Sequence, residues 1–403
     1  MEAEIEFIPE GMVTSVKGFK AGATFAGINK NARYNLDLGI LFSEAPCVTA
    51  GVFTLNKIKA APVLLCQQRL PSDKIRVVVA NSGCANAGTG EQGLCDAFAM
   101  ATSAADRVGV PLDEVLVAST GVIGKRLPLE LIRAGAKKIA LSSDGGHQLA
   151  KAIITTDTVA KEVAVKVIGN EFIVGGIAKG SGMIHPQLGT LLCFLTTDAR
   201  VDRDFLVLAL RKAVDISFNM VSIDGETSPN DTVLAMANGL AGNELIRQNT
   251  NQATAFQQAL DQACIYLAKA VARDGEGASR LIEVTISGAA STTQARSAAR
   301  AAVSSPLVKA AVHGGDPNWG RIIVAVGRSG AEVLESKLDL CIGGICLLRG
   351  GSALPFDEKK MASALTNSEV PIELNLNLGE AMATAWGCDL SEEYVTINSQ
   401  YTT

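Results

Sequence analysis

The chain has 403 residues, with 36 Lys+Arg against 41 Asp+Glu and a formal net charge of -5, which excludes the basic footprint of a nucleic-acid binder. It is 48% apolar but only 4% aromatic, so its core must be built mainly of Ala, Val, Leu and Ile, and a disordered chain is excluded. No apolar run approaches the ~20 residues of a membrane helix, and the acidic first ten residues lack the form of a signal peptide, so a cytoplasmic α/β protein is expected.

Residues 74–80 (Lys-Ile-Arg-Val-Val-Val-Ala) read as a buried strand, followed by a Gly-rich loop over 81–93 and a helix over 94–108. Residues 114–118 read as a short strand, 119–124 as a turn, and 127–141 as a helix with Pro128 in its first turn. Alternation on either side of Gly169-Asn170 predicts a hairpin over 162–177. Residues 204–214 and 252–273 carry amphipathic helices. A boundary is expected at 274–279, where the long helix runs into Asp-Gly-Glu-Gly. Beyond it, a strand over 281–287, a helix over 294–303 capped near Ser291 and a strand over 321–326 predict a second α/β unit. The last residues, 394–403, are rich in β-formers and read as a tail that either frays or docks into a cleft.

The nine cysteines contain no Cys-x-x-Cys and sit mostly in apolar contexts, which predicts reduced, buried thiols. Three scattered histidines (His147, His185, His313) offer no ligand spacing, so no metal is expected. The chain has no Walker loop and no Gly-x-Ser-x-Gly. Gly88-x-Gly90-x-x-Gly93 has the order of a dinucleotide fingerprint, but seven residues separate it from the strand end, where such a turn must be tight.

The most unusual stretch runs from Lys179-Gly180-Ser181-Gly182-Met183-Ile184-His185-Pro186 into the apolar run that begins at Thr190. It reads either as a surface loop entering a core strand or as a latent nucleophile. In the second reading the Thr190 hydroxyl attacks the unhindered Gly189 carbonyl, and water opens the ester. The freed α-amine, with an ordinary pKa of ~8, then serves as general base. Ser119-Thr120-Gly121 reads either as an ordinary turn or as two oxyanion donors, a hydroxyl and a Gly N–H, aimed at one point.

Taken together, these segments closely resemble the ornithine acetyltransferases, or glutamate N-acetyltransferases, of arginine biosynthesis. The resemblance spans nearly the whole chain. It is carried by Asn81-Ser82-Gly83-Cys84-Ala85-Asn86, Ser119-Thr120-Gly121-Val122-Ile123-Gly124, Thr155-Thr156-Asp157-Thr158, 179–190, Asp224-Gly225-Glu226-Thr227-Ser228-Pro229-Asn230-Asp231, Asp274-Gly275-Glu276-Gly277, Asp316-Pro317-Asn318-Trp319 and the C-terminal Asn398 to Thr403.

The resemblance implies a layered α/β fold similar to N-terminal-nucleophile hydrolases, with a smaller C-terminal subdomain. It implies self-cleavage between Gly189 and Thr190 into an α chain (1–189) and a β chain (190–403). In the β chain, 190–278 would complete the main domain, and 279–403 would form the subdomain, returning to the site at its end. Thr190 would carry the acetyl group, taken from N-acetylornithine and passed to glutamate. Thr120 and Gly121 would form the oxyanion hole. Thr156, Lys179, Thr190, Glu276, Asn398 and Thr403 would contact substrate. No cofactor is implied, although acetyl-CoA is a second donor in the family's bifunctional members, and the expected assembly is a dimer of cut heterodimers. Many family members have Asn-Met-Ala-Thr at the cut, whereas this chain has Gln187-Leu188-Gly189-Thr190, a change that conserves volume and small size. The competing readings are an amide hydrolase or aminopeptidase of the same superfamily and a non-enzymatic small-molecule-binding protein.

Overall fold

The computed structural model describes residues 4–169, 172–185 and 191–400. In chain order the elements begin with β1 (Ile5–Phe7), β2 (Phe19–Thr24), β3 (Leu38–Phe53), α1 (Ala61–Arg69), β4 (Ser72–Asn81), α2 (Gly90–Val108), β5 (Val115–Ser119), α3 (Leu129–Ala136) and α4 (Gly146–Ala152). They continue with β6 (Lys161–Val167), β7 (Ile173–Lys179), β8 (Leu192–Thr197), α5 (Arg203–Ile216), β9 (Val221–Ser222), β10 (Thr232–Ala237) and α6 (Asn251–Arg273). The last part holds β11 (Leu281–Ala289), α7 (Thr292–Val303), α8 (Pro306–Gly314), α9 (Trp319–Gly327), β12 (Asp339–Ile342), β13 (Ile345–Arg349), β14 (Ser352–Ala353), α10 (Glu358–Leu365), β15 (Glu369–Asn375), β16 (Ala381–Cys388) and α11 (Glu392–Gln400).

These strands form two mixed sheets. The first has nine strands in the order β1-β6-β7-β8-β10-β3-β4-β5, with β2 also paired to β3. The second has seven, in the order β14-β13-β12-β15-β11-β16-β9. Two cores flank the first sheet because successive side chains of a strand point to opposite faces. On β8, Leu192 and Phe194 join the core beneath α1–α4, while Cys193 and Leu195 join the core shared with α5 and α6. A strand covered on both faces has no polar side, which is why β8 opens with the apolar run Leu192-Cys193-Phe194-Leu195. Helix α6 packs on β6 and β7 of the first sheet and on β9 and β16 of the second. Its start is fixed by Thr250, whose side chain accepts the Ala253 N–H. No helix of the described residues is long and apolar enough to cross a membrane.

The layered α/β architecture is as expected, and so are the strand β4, the β6–β7 hairpin, the helices α5 and α6, and the Ser291 cap of α7, which accepts the Gln294 N–H. Other expectations are corrected. Residues 321–326 are helical, within α9, not a strand. Ile322, Ala325 and Val326 are buried while Val324 is 66% exposed, a helical stripe rather than an alternation. The strand that lies parallel to β11 is β15, far later in the chain. The C-terminal segment is also a helix, α11, rather than β-rich. Helix α2 starts at Gly90, so the expected loop is shorter, and α3 stops at Ala136 instead of 141. Six cysteines are free and buried, but Cys341 and Cys346 lie directly opposite each other across β12 and β13 and form a disulfide, and Cys95 is exposed.

Candidate active site

The parallel neighbours β4 and β5 end side by side at Asn81 and Ser119. Asn81 is fully buried and ties the two ends together. Its carbonyl accepts the Thr120 N–H at 3.0 Å, its Oδ1 accepts the Ser119 hydroxyl at 2.7 Å, and its Nδ2 donates to the Cys84 carbonyl at 2.9 Å. Asn230 closes the same junction from below β10, donating to the carbonyls of Ala85 (2.7 Å) and Ser119 (2.8 Å). Gly121 follows with φ +124°, and a Cβ there would stand 2.4 Å from the Gly83 carbonyl carbon, so only glycine fits. The Thr120 backbone N–H is occupied by Asn81, which leaves its hydroxyl as the donor this residue can offer.

Lys179, the last residue of β7, lies 1% exposed with its Nζ donating to Thr120 Oγ1 at 3.2 Å. Because that bond uses a lone pair of the hydroxyl, the hydroxyl proton is left free. Burial lowers the Lys179 pKa and the nearby Lys161 adds to this, while Asp157, Asp231 and Glu276 oppose it. Behind Lys179 sits a buried ion cluster. Lys161 Nζ reaches Asp157 at 2.7 Å and Asp274 at 2.6 Å, and Asp157 also accepts the Gly180 N–H at 2.6 Å. Burial alone would raise the Asp157 pKa, but Lys161 and Lys179 together hold it well below the usual carboxylate range.

Three loops meet over this cluster. Thr156 and Ser181 share a hydrogen bond between hydroxyls at 2.7 Å. The Glu276 N–H donates to the Ser181 carbonyl at 2.7 Å. The Glu276 carboxylate lies against Gly182, where a Cβ would come within 2.5 Å of it, and its Oε2 accepts Asn398 Nδ2 of α11 at 2.7 Å. Asp224 holds the adjoining turn, accepting the N–H groups of Met183 (2.5 Å), Ile184 (3.0 Å) and Glu226 (3.2 Å). Burial raises the Asp224 pKa, and burial together with Asp224 and Glu276 raises that of Tyr394.

These groups line one cavity of about 130 Å³. Thr120, Gly121, Thr156, Lys179, Glu276 and Asn398 all open onto it, so every described residue expected at the site is brought together. Gly189, Thr190 and Thr403 lie outside the described residues. The residue after Thr190 is firmly placed: the Leu191 N–H donates to Asp231 Oδ1 at 3.0 Å, its carbonyl accepts the Thr232 N–H at 2.9 Å, and Leu192 pairs with Lys179 across β7 and β8. Gly88, Gly90, Gly93 and His185 are not among the lining residues. Asp224, Glu226, Asn230 and Tyr394 line the cavity without having been assigned a role from sequence. The polar run 224–231 between two strands was the visible signal for the first three, but Asp224 and Asn230 bind groups at positions 183, 184, 85 and 119. The wall carries three carboxylates (Asp224, Glu226, Glu276) against one ammonium, a balance that suits a substrate bearing a cationic group.

A family model described as "ArgJ family" matches residues 20–403. The chain is 51% identical to the "Arginine biosynthesis bifunctional protein ArgJ" of Dehalococcoides mccartyi, covering 100% of both chains. It is 49% identical to the protein of the same name from Symbiobacterium thermophilum, over 98% of this chain and 99% of that one. A crystal structure of Arginine biosynthesis bifunctional protein argJ from Bacillus halodurans is 44% identical with a TM-score of 0.51, covering 52% of this chain and 98% of that chain.

Proposed function

The chain belongs to the ArgJ family and is an acyltransferase of arginine biosynthesis, and from that premise we propose that it moves an acetyl group from N-acetylornithine to glutamate through Thr190. The observation that carries this reading is the convergence of Thr120, Gly121, Thr156, Lys179, Glu276 and Asn398, drawn from separate strands, loops and a helix, on one small cavity.

The chain first cuts itself. The Thr190 hydroxyl oxygen bonds to the Gly189 carbonyl carbon, the C–N bond breaks, and the nitrogen takes a proton. Water then hydrolyses the ester, leaving a carboxylate on Gly189 and a free α-amine on Thr190. The Bacillus halodurans chain supports such a cut. It matches over nearly its whole length yet covers 52% of this chain, as a β chain of 214 residues (403 − 189 = 214) would.

In the transfer, the amine accepts the Thr190 hydroxyl proton as the oxygen attacks the acetyl carbonyl. The Thr120 hydroxyl and the Gly121 N–H stabilise the oxyanion, each worth about 3 kcal/mol of barrier. The Lys179 ammonium polarises Thr120 from behind. Glu276, oriented by Asn398, pairs with the ornithine ammonium, and Thr156 lines the opposite wall. Ornithine leaves with the proton, glutamate enters, and its amine takes the acetyl group, in a ping-pong cycle that needs no cofactor.

The test is a denaturing gel beside an assay of N-acetylornithine deacetylation. Wild type should give two fragments and release ornithine only when glutamate is present. T190A should give one full-length band and no transfer. A T190A variant that still transfers acetyl, or acetate release independent of glutamate, would refute the mechanism.

A further inference from the structure

Asp224 lies half-buried on the loop between β9 and β10, where it lines the cavity. A carboxylate offers about four lone-pair sites. Three are taken by backbone: Oδ2 accepts the Met183 N–H at 2.5 Å, and Oδ1 accepts the N–H groups of Ile184 at 3.0 Å and Glu226 at 3.2 Å. The fourth is met by the hydroxyl of Tyr394 on α11, which donates to Asp224. The titratable groups facing this pair are Glu276 on the loop after α6, Glu226 on Asp224's own loop and the Cys388 thiol at the end of β16. His185, on the turn that Asp224 grips, is turned to Ser222 at 3.1 Å, and Lys179 is the cation of the cavity wall. Burial, with Glu276 adding to it, raises the Asp224 pKa against the pull of the three amides, and burial together with Asp224 keeps Tyr394 protonated.

A wall of three carboxylates suits the ornithine ammonium but repels the side-chain carboxylate of glutamate, yet in a ping-pong cycle both amino acids use the cavity in turn. We propose that Asp224 and Tyr394 adapt the cavity to both: Asp224 is charged in the free enzyme and beside ornithine, and takes up a proton when glutamate enters, an assignment that rests on the substrates proposed above. The step is a single protonation. Solvent supplies the proton, one O–H bond forms on Asp224, and no other covalent bond changes. The amides hold three sites, so the proton enters at the fourth, where Tyr394 stands. Tyr394 then accepts from the Asp224 acid and turns its own O–H to the glutamate side chain. One repulsive charge is lost and one donor is gained, whereas ornithine keeps the full negative charge of the wall. Tyr394 touches the substrate; Asp224 acts through it and is a positioning residue.

Free ornithine and free glutamate carry no acetyl group, so each can be titrated calorimetrically into the whole enzyme near neutral pH, in two buffers of unlike ionisation enthalpy. Their α-amino and α-carboxyl ends are the same, and the difference in protons taken up reports the side-chain end. Glutamate should take up about one proton more than ornithine, and its Kd should rise by up to about tenfold per pH unit while that of ornithine does not rise. Glutamine, the uncharged analogue, should behave as ornithine does. Equal proton counts for glutamate and ornithine would overturn the proposal. The infrared difference between glutamate-bound and free enzyme locates the proton. Its protonated-carboxyl band should move on ¹³C-aspartate labelling, since Asp224 is the one aspartate among the described lining residues. An unmoved band would put the proton on Glu226 or Glu276 and overturn the assignment. Y394F, on a helix that buries none of its residues, should weaken glutamate at least about tenfold and ornithine less than about threefold. Equal weakening would overturn the part given to Tyr394. If neither amino acid binds, the substrate reading fails as well; if both bind with equal proton counts, only the protonation of Asp224 fails.

Discussion

Thr120 uses one oxygen twice: it accepts from Lys179 at 3.2 Å and keeps its own proton for the cavity. T120V preserves the shape and removes both functions, so kcat should fall by about 10²–10³. T120S should recover all but about tenfold of that loss. Steady-state rates of glutamate-dependent transfer check this, and a T120V rate within threefold of wild type would exclude Thr120 from the oxyanion hole. The position of Thr120 and Gly121 at the end of a strand was legible in the sequence, but the residues alone read equally as an ordinary turn, and only the fold brings them to the cavity. Asp224 and Asn230 were not legible as site residues. Asn230 binds carbonyls 145 and 111 positions away, and Asp224 binds amides 41 and 40 positions away, separations that only the folded sheet brings to hydrogen-bond range.

Three loops are fastened by a cluster in which Lys161, at the start of β6, joins Asp157 and Asp274. Their side chains are 1%, 0% and 7% exposed, so K161M would strand two buried carboxylates. We expect a loss of about 3–5 kcal/mol in unfolding free energy. K161M should also reduce kcat/KM, because Thr156 and Glu276 sit on the fastened loops and Lys179 ends the strand that runs into one of them. Urea unfolding measures the first, and a loss below 1 kcal/mol would show that the cluster is solvated. Element identity was legible wherever a period was long and clean, as in α6 and the β6–β7 hairpin. It failed at 321–326, where Ile-Ile-Val-Ala-Val has strand propensity but packs against α7 along one helical stripe. It failed again at the C-terminus, whose nine-residue α11 buries none of its residues, so no apolar period marks it.

On the scale of the whole molecule, the cavity takes its walls from the first sheet, the loop after α6 and the C-terminal helix. Ending the chain at Ser391 removes α11 with Tyr394 and Asn398 but, among the described residues, no buried side chain. The melting temperature should move by no more than a few degrees, while KM for N-acetylornithine rises at least tenfold because Glu276 loses its Asn398 donor. Calorimetry and initial rates test the two parts, and an unchanged KM would remove α11 from substrate binding. The layered α/β class was legible from composition and alternating elements. The order of strands was not, since β3 pairs with β10 and β11 with β15 across long stretches of chain.

That strand order has a physical consequence for a protein opened between Gly189 and Thr190. Strands β8 and β10 come from the later segment, yet they stand between β7 and β3 of the earlier one, laddered to each through six residue pairs. The two polypeptides would be woven like a finger held between two others, with no flat face along which they could part. Dilution would not separate them, partners would not be traded between molecules, and neither piece alone could complete the nine-stranded sheet. Severing one peptide bond would thus alter the chemistry of the chain while leaving its stoichiometry fixed at one to one for the life of the molecule.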